Sequence, residues 1–192
     1  MASTKPASTG KPSPSKNGAP KDAIELLMAD HRTVEGLFET FEATDDKGKK
    51  QKIAQQICLE LMVHSTIEEE IFYPAIKEVV EDDLYNEAFV EHDGAKMMIA
   101  EILEGSADDD FYDAKVKVLS EMIKHHVKEE EQRDGLFAQA KKGDVDLAEL
   151  GAELAARKEA VIAEFASEGV PPPTTKSMKG AKIQLGEVVD AA

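Results

Sequence analysis

Apolar residues recur along this chain at intervals of three and four, the spacing that lines one face of a helix. One stripe runs Ile24, Leu27, His31, Val34, Phe38 and Phe41. A second runs Ile57, Leu61, His64, Glu68, Ile71 and Ala75, and a third Tyr85, Ala88, His92, Ala95, Ile99 and Ile102. The fourth runs Tyr112, Val116, Leu119, Ile123, His126 and Glu130, with Phe137 further on. Alternating runs of the strand type are absent, and Ala, Glu, Lys, Leu and Met dominate.

The pattern predicts helices at about 22–43, 49–80, 83–104, 110–142 and 147–167. Asp22 is a candidate N-cap, and Asp146 with Glu149 resembles a capping box. Gly105 and Gly143 close the third and fourth helices, and Gly169 with Pro171–Pro173 stops the fifth. Pro74 lies inside the second span and predicts a kink or break near Tyr73. Short loops make neighbouring helices antiparallel, so the expected fold is all-α, an up-down-up-down four-helix bundle with an additional C-terminal helix. That helix packs across the bundle or mediates contact with a second copy of the chain. The bundle is expected over 22–168, between a disordered Ser-, Pro- and Lys-rich tail at 1–21 and a flexible tail at 169–192.

Each of the four stripes is interrupted by a histidine, and in two of them a glutamate follows one turn later. The His-x-x-x-Glu spacing, which four of the five histidines show, says little alone, because 24 of the 192 residues are Glu. Register says more. Residues four apart lie above one another, so His64 and Glu68 share the buried face, as do His126 and Glu130. His125 is rotated by about 100° from His126 and falls off the core. His31 precedes His64 by 33 residues and His92 precedes His126 by 34, so the chain contains two similar hairpins. Packed together, they converge four imidazoles and two carboxylates. Two buried, unpaired carboxylates facing each other would cost several kcal/mol each unless a cation lay between them. Glu69, Glu70, Glu129 and Glu131 read as solvated-face residues.

The donors are nitrogen and oxygen without thiolate, a set that suits iron, manganese or zinc and excludes iron–sulfur clusters. Two carboxylates shared by four imidazoles suggest two metals bridged by Glu68 and Glu130. His31 and His64 would serve one metal, His92 and His126 the other; with an oxo or hydroxo bridge each has five donors, and a sixth position is open or filled by a further residue.

A formal charge of −16 opposes binding to a phosphate backbone, so no nucleic-acid partner is expected. No run approaches the length of a membrane span, and the N-terminus lacks an apolar signal core. The single cysteine, Cys58, cannot form an intrachain disulfide. It reads as a buried small residue. These features together predict a cytoplasmic protein.

The segments "ADHRTVEGLF", "HSTIEEEIFYPAI", "EHD" and "HHVKEEE" resemble the hemerythrin-like family, also called the HHE cation-binding domain, over about residues 22–140. The resemblance implies a non-haem di-iron centre, two Fe ions with an oxo or hydroxo bridge, in preference to Mn or Zn. By it the ligands are His31, His64, Glu68, His92, His126 and Glu130, and the partner is a small molecule: O2, NO or peroxide. One departure weighs against simple O2 carriage. Oxygen carriers of the family have a second His one turn after the third-helix His, where this chain has Lys96. Their last carboxylate is an Asp at longer spacing. Glu35, Tyr73 and Tyr112 are candidates to complete a shell. The expected function is to bind, sense or scavenge these molecules or to handle iron. The alternatives are an oxidoreductase that decomposes peroxide or oxidises Fe(II), and a zinc-bound or metal-free structural bundle. No Ser/His/Asp set, phosphate loop or basic groove is present.

Overall fold

Asp22 opens the first helix: its carboxylate accepts the Glu25 N–H at 2.8 Å, satisfying a donor the helix itself cannot. Helix α1 then runs Ala23–Glu42. Asp46 caps α2 (Lys47–Ile67) in the same way through Lys49 N–H. The computed structural model describes residues 22–178 of the chain. Beyond α2 it contains α3 (Tyr73–Ile76), α4 (Asp82–Glu104), α5 (Tyr112–Glu131), α6 (Leu136–Lys142) and α7 (Leu147–Glu168). No strand occurs among the described residues. The tail assigned to residues 1–21 and the end of the chain from residue 179 lie outside them.

α1, α2, α4 and α5 form the bundle. α1 packs on α2, α2 on α4, α4 on α5 and α5 back on α1. Its interior holds two apolar slabs. One contains Leu27, Phe72, Tyr85, Phe89, Phe137 and Leu154. The other contains Phe38, Ile57, Cys58, Ile99, Tyr112 and Leu119. The histidine layer lies between them. Helix α7 crosses α1 and α2, burying Leu150, Leu154 and Val161. Its Gly151 allows this approach, since a Cβ there would stand 2.7 Å from the Ala23 nitrogen.

Three expectations are corrected. Where a kink or break was expected near Tyr73, the second helix widens instead. Residues Glu68–Phe72 form a π-helical turn, followed by α3 and a 3-10 turn at Lys77–Val79. Pro74 explains the widening: it has no N–H to donate, and its ring would collide with the carbonyl four residues back in a regular α-helix. The extra residue shifts the buried stripe by one position. Phe72 and Ile76 face the core where Ile71 and Ala75 were expected, and Tyr73 turns inward beside them.

The fourth helix is two helices. α5 stops at Glu131, and a turn through Gln132–Gly135 redirects the chain into α6. A Cβ on Gly135 would lie 2.2 Å from the Glu129 carbonyl oxygen and 2.7 Å from that of Glu130, so only glycine fits. The turn brings Leu136, Phe137 and Ala140 under the end of the bundle.

The segment after α7 is anchored as far as Met178. Buried Asp93 accepts hydrogen bonds from the backbone N–H groups of Lys176 and Met178 and from both the N–H and the hydroxyl of Ser177. This part of the expected flexible tail is therefore strapped to α4.

Candidate metal centre

All six side chains singled out by register are buried and converge on one layer. The imidazoles meet in pairs: His31 Nε2 is 3.1 Å from His64 Nε2, and His92 Nε2 is 3.2 Å from His126 Nε2. The carboxylates lie between the pairs. Glu68 Oε2 is 3.1 Å from His64 Nε2 and 3.3 Å from His92 Nε2. Glu130 Oε2 is 3.4 Å from His31 Nε2 and 3.6 Å from His126 Nε2. Two groups of potential metal ligands result, one of His31, His64, Glu68 and Glu130, the other of Glu68, His92 and His126.

The outward edges of the rings fix the proton positions. His31 Nδ1 donates to Glu131 at 2.7 Å, His92 Nδ1 to Glu69 at 3.0 Å and His126 Nδ1 to Glu91 at 2.8 Å. His64 Nδ1 faces Asp30 at 3.6 Å, a charge contact longer than a hydrogen bond. A carboxylate only accepts, so the three hydrogen bonds place the ring proton of His31, His92 and His126 on Nδ1 and leave their inward Nε2 atoms free to act as donors to a cation. Paired lone pairs near 3 Å repel unless a cation or a proton lies among them. Glu68 Oε1 and Glu130 Oε2 are also buried without a hydrogen-bond partner. Inward ring nitrogens and unsatisfied carboxylate oxygens form a donor set able to hold a metal, with the outer carboxylates orienting the rings.

Protons compete for the same places. Burial pushes the His64 imidazolium down, but the charge of Glu68 and the Asp30 contact outweigh it and bring it up to about 10. Burial likewise opposes charge on His92, and its bonds to Glu68 and Glu69 raise it to about 9. Burial pushes the Glu68 carboxyl up, yet His64 and His92 beside it hold it well below the usual range.

The outer carboxylates were missed from sequence. Glu69 and Glu131, read as solvated, are partly buried, with side-chain exposures of 18%. A signal was present. Each hairpin carries an acid just before its first His, Asp30 and Glu91, and another just after its ligand-type Glu, Glu69 and Glu131. Asp30 and Glu91 serve the second His of their own hairpins. Glu131 and Glu69 each serve the first His of the other hairpin.

Tyr73 is part of the layer. Its hydroxyl donates to Glu130 Oε1 at 3.0 Å, with His92 Nε2 at 3.3 Å and Glu68 Oε2 at 3.4 Å. Burial and the two carboxylate charges hold its phenol well above the ordinary value, so it keeps its proton. Glu35 is exposed and pairs with Arg32, and Tyr112 lies in the apolar slab away from the layer. His125 is exposed, as expected. Lys96, in place of the second third-helix histidine, is buried and bonds Glu69 at 2.6 Å. Cys58 is fully buried, and burial pushes its thiol up to about 12, which makes it unreactive.

A cavity of about 20 Å³ adjoins the four rings, walled by Val34, Leu61, Ala95, Ile99, Ile123 and Val127. It has room for about one water-sized molecule.

Comparison with known proteins agrees with this geometry. The family model described as the hemerythrin HHE cation binding domain matches residues 22–137. A curated relative, a DNA nickase from Nostoc sp., is 27% identical over 114 residues, 59% of this chain and 32% of that protein. The chain thus spans about a third of that relative's length. The crystal structure of a hemerythrin HHE cation binding domain-containing protein from Mycobacterium kansasii superposes with a TM-score of 0.64. It is 24% identical, and the match covers 78% of this chain and 94% of that one. At that identity it speaks to the fold.

Proposed function

Because the chain belongs to the hemerythrin HHE cation-binding domain family, we propose that its histidine layer holds two iron ions and uses them to bind, sense or scavenge O2, NO or peroxide, or to handle iron. The observation that carries this reading is the set of four inward Nε2 atoms, three backed by a carboxylate hydrogen-bonded to Nδ1 and the fourth, on His64, facing the Asp30 carboxylate. His31 and His64 would hold one ion and His92 and His126 the other, with Glu68 and Glu130 shared between them. Bound iron supplies redox chemistry toward small oxygen and nitrogen species that no side chain here provides.

The chain's own residues do the rest. The cavity beside the rings, mostly apolar but lined also by Asp30, Ser65 and Lys96, has room for a molecule of about water size. Tyr73 O–H offers one proton donor on the carboxylate side of the layer. Asp30, Glu69, Glu91 and Glu131 fix ring orientation and make each Nε2 a better donor. Lys96 neutralises Glu69 and contributes no imidazole, which argues against a simple reversible O2 carrier. The DNA nickase relative does not extend this reading to DNA. The match covers a third of that protein, and a net charge of −16 opposes phosphate contacts.

Adding O2, and separately peroxide, to the anaerobically reduced protein tests the reading through the visible spectrum. A persistent, reversible spectral change supports binding. Rapid, repeated O2 release from peroxide supports the enzymatic alternative. A colourless protein from iron-replete cells that responds to neither would overturn both.

A further inference from the structure

Three of the four outer carboxylates have a second, permanently charged partner. Glu131 pairs with Arg32, Asp30 with Lys158, and Glu69 with Lys96. Glu91 breaks the pattern. One of its oxygens accepts from His126, while the other, Oε1, has no accessible surface and no hydrogen-bond donor. No Lys or Arg pairs with it among the described residues. Beside it stand the Glu87 carboxylate and His125 Nε2, the latter at 3.3 Å. One ligand-type atom from each of the three residues lies within 4.8 Å of the others. Glu87 has no ion-pair partner among the described residues, so two carboxylates face each other where the other three positions have an ammonium or guanidinium group.

We infer that Glu87, Glu91 and His125 form a second cation site on the outer α4–α5 face, taking Zn2+. Two carboxylate oxygens and one imidazole nitrogen suit that ion. Glu87 and Glu91 lie one turn apart on α4, and His125 comes from the helix packed beside it, so folding assembles the donors. Glu87 and His125 are exposed, which leaves the remaining positions to water. An ion there would do for Glu91 what Lys96 does for Glu69. It would balance the carboxylate that orients His126 and tie the outer site to the buried layer. The site stands on its own donors and does not depend on which small molecule the buried layer meets.

Zn2+ titration of the iron-loaded full chain by calorimetry, with iron content measured before and after, tests the inference. The wild type should take up about one Zn2+ per chain with no loss of iron, and His125→Ala and Glu87→Gln should each weaken that uptake by at least about tenfold. Both residues are on the surface, so circular dichroism should show intact folds. No Zn2+ uptake by the wild type, or uptake undiminished in both variants, would overturn the inference. If the buried layer carried no iron, the iron assay would show it independently, and the Zn2+ result would still decide the outer site.

Discussion

At the residue scale, the layer depends on outer carboxylates that hold the Nδ1 proton of His31, His92 and His126 and so turn each Nε2 inward. Glu131 does this for His31 and Glu69 for His92, each from the opposite hairpin. Glu131→Gln keeps the shape but offers an amide that no longer compels the ring proton onto Nδ1. We predict that Glu131→Gln and Glu69→Gln each lower metal affinity by about 10–100-fold while the fold persists. Chelator competition monitored by metal content measures this; unchanged affinity in both would remove the carboxylates' assigned role. The six inward residues were legible in the sequence because helical periodicity alone puts them on the buried face. Their outer partners were not, because the pairing depends on how two hairpins pack. A residue next to a ligand-type Glu looks solvated until the other hairpin is in place.

At the scale of elements, two local irregularities place the site. The π turn at Glu68–Phe72 admits one extra residue, and this turns Tyr73 into the layer. Pro74 announced a disturbance, but a kink and a widened turn have the same sequence signature. The periodicity therefore pointed to Ile71 and Ala75 instead of Phe72 and Ile76. Gly135 closes α5 and sends α6 beneath the layer, where Phe137 stacks on His31 with ring centres 5.8 Å apart and planes within 8°. The apolar stripe continued through this turn, which is why one long helix was expected. Gly135→Ala would drive a methyl group into two carbonyl oxygens. We predict a loss of roughly 1–3 kcal/mol in denaturant unfolding, with α6 disturbed first. Wild-type stability in that variant would show that the turn can relax at little cost.

At the scale of the whole molecule, the layer couples stability to pH and to metal. In protein stripped of metal, His64 and His92 are protonated in the fold more readily than in the unfolded chain, at about 10 and 9 against an ordinary 6.5. Groups whose values rise on folding add stability that is complete below the unfolded value and lost as pH climbs through the folded one. Stripped protein should therefore lose thermal stability between about pH 6.5 and 10. Loaded protein should hold its stability across the same window, since metal and not protons occupies the Nε2 lone pairs. Parallel melting curves for the two forms at pH 7 and pH 10 check this, and equal losses would contradict it. The strap on Asp93, invisible to periodicity because it consists of backbone donors meeting one buried carboxylate, closes the α4 side of the same structure.

The central claim is that two hairpins aim four imidazoles and two carboxylates at a pair of metal ions. Iron content per folded chain, measured on protein from iron-replete cells alongside His64→Ala and His125→Ala, tests it most directly. The account predicts about two irons in the wild type, a marked loss in His64→Ala and wild-type content in His125→Ala. A wild type without iron, or equal loss in both variants, would contradict it.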